Sequence, residues 1–303
     1  MEINTRKIKD DYESYFKDLE GSITKNLKVH SMGNTPNLFR TVYPLFAMLE
    51  ALNNPDYFLD PSRRIEMDQF ITGGDKEKTI NAARRLFKES MNMSLELRKG
   101  ISSETFTPYF DELYSDSFLL LNQYYTNNYR GCSLYLRCIL EDLYRHIYYL
   151  DHRQEFHMIV NSGVTSEWGL GLRPEIMRSY LERTSYLSRL KDFNFELEKL
   201  DESTNKKNIF SLNEDLYSET SAFVHPSNPT YMNRFKSNSD LVYDDHKAQQ
   251  VVRMAKQIMN MAILFLSCVH FQQVSRFNDY ERSVMFIGFD KTTKGNLRRI
   301  LGL

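Results

Sequence analysis

The stretch YRGCSLYLRCILEDLYRHIYYLDH, from Tyr129 to His152, decides the fold of this chain. Its aliphatic residues recur at steps of three and four and therefore fall on one face of a helix: Leu136, Leu140, Leu143, Ile147 and Leu150. A second face carries what we call the polar stripe: Arg137, Glu141, Arg145, Tyr148 and His152. On so apolar a helix, such a stripe is either a solvated surface or a buried network, and a buried network needs a partner segment.

A second stretch, LYSETSAFVHPSNP from Leu216 to Pro229, is the candidate partner. Proline disfavours helical geometry in the residue before it, so Pro226 predicts that the helix 209–223 ends near His225. Arg137 and Glu141 stand four residues apart and predict an ion pair on the first helix. If that pair is buried, we expect it to need further partners from the second helix: Ser218, Ser221 and the imidazole of His225.

Composition describes a globular protein with no strong charge bias. The 303 residues are 41% hydrophobic and 13% aromatic, and 39 basic residues nearly balance 40 acidic ones. This balance argues against a surface dominated by nucleic acid or anionic membrane. Three cysteines without a C-x-x-C motif predict buried thiols in a reducing compartment. No apolar signal region opens the chain, and the run 261–269 is shorter than a membrane span, so we expect a cytoplasmic protein with no membrane partner.

The periodicity along the chain predicts an all-α fold with little strand signal. Helices are expected at 2–29, 38–52, 75–100, 112–125, 129–150, 175–200, 209–223 and 244–271, with an exposed turn at 201–207. The period is lost at 101–111. We therefore predict an N-terminal helical region at 1–110, a helical bundle at 111–275 and a C-terminal extension at 276–303.

Short motifs in the bundle resemble those of a divergent HEPN-like helical family of uncharacterised bacterial proteins. They are Arg137-x3-Glu141 on an apolar helix after a small-residue turn, then Leu216-Tyr217-Ser218, Val224-His225-Pro226-Ser227 and a long apolar helix. The resemblance covers residues 112–272. It implies a HEPN-like bundle, a homodimer, and a role in a bacterial defence or toxin-type system, with RNA and a protein partner or antitoxin as the expected partners.

Many HEPN-like proteins are metal-independent ribonucleases with an arginine followed, after four to six residues, by a histidine. Imidazole suits proton transfer near neutral pH, and guanidinium suits the phosphate charge of the transition state. His225 occupies the place of the motif histidine, but no arginine stands upstream of it at that spacing. Arg145 and His152, with six residues between them, fit the spacing. The catalytic candidates are therefore Arg145, His152 and His225.

A rival hypothesis makes the chain a non-catalytic protein-interaction module, in which Arg137, Glu141 and His225 hold helices in register. Tyr148, Ser218 and Ser221 belong to the same predicted network. The tail KTTKGNLRR carries Lys294, Arg298 and Arg299, which either contact RNA phosphates or a partner, or form a solvated terminus. Asp151 and Glu155 are the only carboxylates at ligand spacing from His146, His152 and His157, and histidines at a helix end more often cap its last carbonyls. No nucleotide-binding motif occurs, so we predict neither metal nor cofactor.

Overall fold

A computed structural model describes residues 35–53, 107–161, 172–198, 206–225 and 242–302. These parts of the chain are mostly helical, in agreement with the all-α prediction. The helices predicted at 2–29 and 75–100 lie outside the described residues. The elements, in chain order, are α1 Thr35–Asn53, α2 Pro108–Tyr125, α3 Tyr129–Asp151, α4 Arg153–Asn161, α5 Pro174–Tyr180, a 3-10 turn Ser185–Leu187, α6 Ser188–Asp192, β1 Glu196–Glu198, β2 Lys206–Asn208, α7 Ile209–Val224, α8 Asp245–Val269, α9 Phe271–Val274, α10 Asp279–Met285 and α11 Lys291–Leu301.

Helix α3 lies at the centre of the bundle. It packs against α2, α7, α8 and α5, and its predicted aliphatic face is buried: Leu136, Leu140, Leu143 and Ile147 have no exposed surface. Large rings close the same core, among them Phe110, Tyr144 and Phe265. The predicted helices at 38–52, 129–150 and 209–223 are confirmed as α1, α3 and α7.

Helix α1 belongs to the same hydrophobic core as the bundle. It packs against α8, α2 and α10, and its residues Val42, Phe46 and Leu49 are buried. Pro44 lies inside this helix. The ring of Phe46 meets that of Tyr114 on α2 edge to face, with the ring centroids 4.7 Å apart. The boundary at residue 110 between two regions stays a prediction.

Helix α8 is a long helix whose C-terminal half is apolar. By length and composition alone, the helix Asp245–Val269 would also suit a membrane span, and 78% of its most apolar window is buried in the protein. Its side chains Met254, Ile258 and Phe265 are buried in the hydrophobic core. The helix is therefore placed as the core helix that its periodicity predicts.

The region 175–208 differs from its prediction. In place of one helix over 175–200 the chain forms α5, the 3-10 turn and α6, and then enters a two-stranded antiparallel sheet in which Leu197 pairs with Lys207. Asn194 adopts a positive φ of 44°, which ends α6. Met177, Leu181, Leu187 and Leu190 are buried, but their steps of four, six and three residues do not keep one continuous helical period. Of the exposed turn predicted at 201–207, residues 206 and 207 belong to strand β2, and residues 201–205 lie outside the described residues.

A tight turn joins α2 to α3. Asn127 has a positive φ of 57°, and the side chain of Asn128 accepts a hydrogen bond from the backbone N–H of Gly131 at 3.0 Å. The Asn128 amide also donates to Gln123 Oε1 at 2.7 Å. A Cβ on Gly131 would stand 2.6 Å from Gln123 Oε1 and 2.9 Å from Asn128 Cγ. Glycine is therefore required for the cap to keep its geometry.

Gly131→Ala should lower the free energy of unfolding by roughly 1 kcal/mol, because the methyl group displaces the Asn128 cap. Gly295 in α11 is the matched control, since no atom lies within 4 Å of a Cβ built there. Gly295→Ala should raise the free energy of unfolding by about 0.5–1 kcal/mol through helix propensity alone. Urea unfolding followed by circular dichroism measures both, and a stabilising Gly131→Ala would contradict the close packing at this turn.

Candidate functional site

Arg137 is the first residue of the polar stripe, and its guanidinium makes the contacts between α3 and α7. Its Nε donates to Glu141 Oε1 at 2.7 Å, and its Nη2 donates to the Tyr217 hydroxyl at 2.6 Å. Its Nη1 donates to Ser221 Oγ. Only 13% of the Arg137 side chain and 18% of the Glu141 side chain are exposed. Each of the three guanidinium nitrogens thus has a partner, and two of those partners come from α7.

Ser221 and Tyr217 connect the guanidinium to the backbone of α7. Ser221 Oγ accepts from Arg137 and donates to the carbonyl of Tyr217, one turn earlier. The Tyr217 ring also lies under the guanidinium, with Arg137 Cζ 4.0 Å from its centroid. Arg178 of α5 approaches the same ring, at 4.8 Å. Tyr217 therefore contacts two cations through its π-system.

The Tyr217 hydroxyl extends this network to α5. It donates to Glu175 Oε1 at 3.2 Å while it accepts from Arg137. Burial raises the pKa of this hydroxyl, and the neighbouring Arg137 opposes the shift. The hydroxyl therefore keeps its proton at neutral pH and serves as both donor and acceptor.

The network also continues along α3 toward α2. Glu141 accepts a second hydrogen bond, from Arg145 Nη2 at 3.3 Å, and Arg145 Nη1 donates to Asp142 Oδ1 at 3.2 Å. Asp142 in turn hydrogen-bonds with Asp116 of α2. We name this series the polar chain, and its members are Glu175, Tyr217, Ser221, Arg137, Glu141, Arg145, Asp142 and Asp116. It joins α5, α7, α3 and α2.

Two buried carboxyl groups end the polar chain. Burial raises the pKa of Asp142, against the opposing effect of Arg145, and burial also raises the pKa of Asp116. Two carboxylates in hydrogen-bonding contact cannot both ionise at low cost, so the pair holds one proton near neutral pH. The thiol of Cys138 is a further hydrogen-bond partner of Asp116.

Helices α3 and α7 pack antiparallel in a regular register. Arg130 Nη2 donates to the Val224 carbonyl at 3.4 Å, Arg137 contacts Tyr217 and Ser221, and the Tyr144 hydroxyl donates to Asn213 Oδ1 at 2.6 Å. Successive contacts on α3 are seven residues apart, or two helical turns. The two helices are neighbours joined by hydrogen bonds from Arg130, Arg137 and Tyr144, but the expected participation of His225 in this contact is wrong.

His225 does not take the place in the network that the sequence predicts. It is the exposed residue after α7, and its backbone N–H donates to the Ser221 carbonyl at 2.8 Å. The antiparallel register explains this placement, because one turn beyond Ser221 the α7 chain faces Arg130 instead of Arg137. Ser218 is also exposed, on the outer side of α7, so Ser221 alone of the three predicted partners joins Arg137 and Glu141.

Tyr148 and His152 form a separate cluster at the end of α3. Their rings are stacked, with centroids 3.9 Å apart, and the ring of Tyr180 meets His152 edge to face at 4.7 Å. His152 Nδ1 lies 2.9 Å from the Tyr148 carbonyl, which can only accept, so Nδ1 carries a proton. The Tyr148 hydroxyl donates to Glu155 Oε2 at 2.8 Å.

Arg145 and His152 have different sets of partners. In the described part of the chain no hydrogen bond joins them: Arg145 bonds to Glu141 and Asp142, and His152 bonds to the Tyr148 carbonyl. The basic residues of the tail lie apart from both, on α11. There Lys294 is half-buried, Arg298 is exposed, and the guanidinium of Arg299 lies 5.3 Å from the centroid of Phe193.

A buried histidine pair lies on the far side of α3. His146 Nε2 and His270 Nε2 are 2.9 Å apart, and His146 Nδ1 lies 3.0 Å from the Thr107 hydroxyl. Burial lowers the pKa of His146, and it lowers that of His270 to about 4, so both rings are neutral at pH 7. No set of three or more potential metal ligands occurs among the described residues.

Four members of the site were missed at the sequence level: Tyr217, Glu175, Asp142 and Asp116. Asp116 carried a usable signal, because it falls three residues after Leu113 and four before Leu120, on the core-facing side of α2. The hydroxyl of Tyr217 stands four residues before Ser221, on the same face of α7. Glu175 carried no signal, because its approach depends on where the short helix α5 packs.

Comparison of the chain with protein-family models, curated proteins and solved structures finds no match. Its chemistry is therefore inferred from its own geometry.

Ser221→Ala should lower the free energy of unfolding by about 1–2 kcal/mol, because it leaves a half-buried guanidinium donor without its acceptor. Ser218→Ala is the matched control on the same helix and should change the stability by less than about 0.5 kcal/mol. Urea unfolding of the two variants and of the wild type gives the comparison. Equal effects of the two substitutions would contradict the assigned role of Ser221.

In Asp116→Asn, the free energy of unfolding should fall less steeply than in the wild type as the pH rises. The raised pKa values mean that the folded protein binds more protons than the unfolded chain above the unfolded pKa of about 3.9. Their contribution is complete below that value and is lost as the pH rises through the folded pKa values. In the variant, Asp142 ionises beside Arg145 with no second carboxylate to oppose it. Free energies of unfolding from about pH 5 to pH 9 test this, with the exposed Asp192→Asn as control.

Proposed function

We propose that this chain is a HEPN-like helical protein that acts as a non-catalytic protein-interaction module, with the polar chain as its internal framework. The observation that carries the proposal is the state of Arg137. Its Nε, Nη1 and Nη2 atoms all donate to residues of the same protomer, and its side chain is largely buried. Three of its five N–H donors are used inside the bundle, so a phosphate could reach at most the two that remain, on a side chain that is largely buried.

The same reasoning applies to Arg145 and His152. The Arg145 guanidinium lies against two acidic residues, which compete with any phosphate for it. The His152 ring stacks on one tyrosine and meets another, and one of its nitrogens is bound to a carbonyl. These contacts favour a role in packing α3 against α5 over a role in proton transfer.

The surface available to a partner includes α4, in which no residue is buried. Met158 and Val160 of this helix are more than half exposed, although both side chains are apolar. In this proposal, these exposed apolar side chains belong to the surface that a protein partner would cover. In the HEPN-like proposal that partner is an antitoxin-like protein or a second copy of the chain in a homodimer.

A second candidate function is RNA binding or metal-independent RNA cleavage in a bacterial defence or toxin-type system. One observation favours it: the exposed His225 follows α7 at the end where Arg130 donates to the Val224 carbonyl. This juxtaposition brings an imidazole and a guanidinium to one end of the α3–α7 pair, which is the chemistry that RNA cleavage requires. The exposed Arg298 and half-buried Lys294 of α11 would add phosphate contacts.

Incubation of the purified protein with labelled RNA in the presence of a chelator separates the two functions. The interaction module leaves the RNA intact, whereas a metal-independent ribonuclease cuts it. In the second case His225→Ala or His152→Ala should abolish cutting with little change in melting temperature. His157→Ala, at an exposed position on α4, is the matched control and should cut like the wild type.

The structural duty of the polar chain has its own measurement. Arg137→Met should lower the free energy of unfolding by about 2 kcal/mol or more, because Tyr217 and Ser221 lose a buried, charged partner. RNA cleavage that is lost in Arg137→Met without any loss of stability would overturn the proposal, since Arg137 would then serve the reaction and not the fold.

A further inference from the structure

A cavity that shares no residue with the polar chain lies where β1, α7, α8 and the connection from α10 to α11 meet. Its volume is about 300 Å³. That is the lower end of the range of roughly 300–1,000 Å³ that small-molecule sites occupy. Among the described residues that line it, four carry polar side chains: Lys256, Gln257, Asn260 and Asp290. A cavity of this size with a few polar groups suits a small organic molecule.

Gln257 is the polar residue of this lining that most needs a partner. Only 6% of it is exposed. In the described part of the chain, its side-chain amide neither donates nor accepts a hydrogen bond. Buried amides in folded proteins are nearly always hydrogen-bonded, because an unpaired amide loses its contacts with water without compensation. The Gln257 amide borders a cavity, so a bound molecule can supply the missing partner.

Lys256 adds a positive charge beside Gln257. It is half-buried and lines the same cavity. Across the described ranges its ammonium group has neither a hydrogen bond nor an ion pair, and Asp290, the carboxylate of the same lining, forms none with it. An ammonium group offers three N–H donors, and an amide offers two more. Together these two side chains can bind a carboxylate through charge-assisted hydrogen bonds.

Asn260 lies one turn after Lys256 and fixes the α10–α11 connection against α8. Its Nδ2 donates to the Gly288 carbonyl at 3.3 Å. A Cβ on Gly288 would stand 2.6 Å from Asn260 Oδ1, so the glycine leaves room for this amide. No donor of the described segments reaches Asn260 Oδ1, which is therefore an available acceptor on the lining.

Asp290 brings a negative charge to the cavity. Its carboxylate caps α11: it accepts from the backbone N–H groups of Thr292 at 2.8 Å and Thr293 at 3.0 Å, and from the Thr293 hydroxyl. A carboxylate has about four lone-pair sites, so it can accept a further hydrogen bond. Burial opposes its ionisation, but the hydrogen bonds from Thr293 and Thr292 and the charge of Lys206 lower the pKa of Asp290. The charged carboxylate and Asn260 Oδ1 can therefore bind an ammonium group.

Apolar side chains line the cavity beside these polar groups. We name three buried ones the apolar wall: Leu197, Leu212 and Phe289. A hydrocarbon group that leaves water to pack against this wall gains free energy. The cavity thus combines a cation, an anion and an apolar surface, which match the three parts of an apolar amino acid.

We propose that this cavity binds an apolar α-amino acid of the size of leucine. The carboxylate of the ligand lies at Lys256 and Gln257, and its ammonium group lies at Asn260 and Asp290. Its side chain packs against the apolar wall. The buried Gln257 amide without a hydrogen bond carries the proposal, because the fold itself gives this group no partner among the described residues. The site is independent of the polar chain and of the function proposed for it.

Isothermal titration calorimetry of the full chain with L-leucine tests the site. Two comparison ligands keep the hydrocarbon chain and lack one charged group each: isocaproate has no ammonium group, and isoamylamine has no carboxylate. Leucine should bind roughly tenfold or more tightly than either, because only leucine pairs with both charges of the lining.

Lys256→Met should weaken the binding of leucine roughly tenfold or more, because it removes the cation that faces the ligand carboxylate. Gln257→Leu should also weaken the binding, while the melting temperature stays unchanged or rises. This substitution replaces a buried amide without a partner by an apolar side chain of similar size. Lys247→Met is the matched control, since Lys247 is exposed on the same helix and lies outside the lining.

Three results would overturn the proposal: no binding of leucine at about 10 mM, binding of isocaproate or isoamylamine as tight as that of leucine, or equal losses in Lys256→Met and Lys247→Met. Melting curves of the ligand-free proteins show whether each variant is folded. A lower melting temperature of Gln257→Leu with unchanged binding of leucine would also contradict it, because Gln257 would then serve the fold. Lys256→Arg, which keeps the charge, should retain part of the binding.

Discussion

The constraint on which this bundle depends is the presence of a guanidinium on a helix that lies in its core. Arg137 cannot be moved to solvent without turning the aliphatic face of α3 away from the core. Its charge must therefore be balanced inside the bundle, by Glu141 on the same helix and by hydroxyls from the helix that packs against it. In the observed register of α7, Tyr217 and Ser221 supply these hydroxyls.

The buried ionisable groups of the bundle form three kinds of pair. Arg137 and Glu141 form an ion pair on one helix. Asp116 and Asp142 lie in contact, and burial raises both pKa values, so that they share a proton. His146 and His270 are kept neutral by burial and bind to each other. The Asp116–Asp142 pair and the His146–His270 pair each join two separate helices or segments. The Arg137–Glu141 pair lies on one helix and takes its remaining contacts from α7. Polar groups thus fix how the helices align, within a core that apolar packing stabilises.

Much of the helical framework could be predicted from the sequence, because long periodic stretches such as α3 and α7 leave few alternatives. The choice between Ser218 and Ser221 could not be predicted, since only the orientation of α7 decides which hydroxyl faces Arg137. The same holds for His225, one turn too far along α7 to reach it. The paired strands 196–198 and 206–208 were not predicted, because Asn194 ends α6 through a left-handed backbone conformation that carries no periodic signal. Asp116 could have been predicted as a buried acidic residue, because its spacing from Leu113 and Leu120 places it on the core-facing side of α2.

The close turn between α2 and α3 has a consequence for how the molecule assembles. Contacts across this turn join residues that are near each other in the chain, so closing them costs little loop entropy. The two helices are thus suited to forming an early hairpin, whereas α7 must arrive from a point some eighty residues away. Until α7 packs against α3, water hydrates the charged side of α3 and hydrogen-bonds to Arg137. The glycine at this turn therefore belongs to the contacts whose closure costs the least loop entropy.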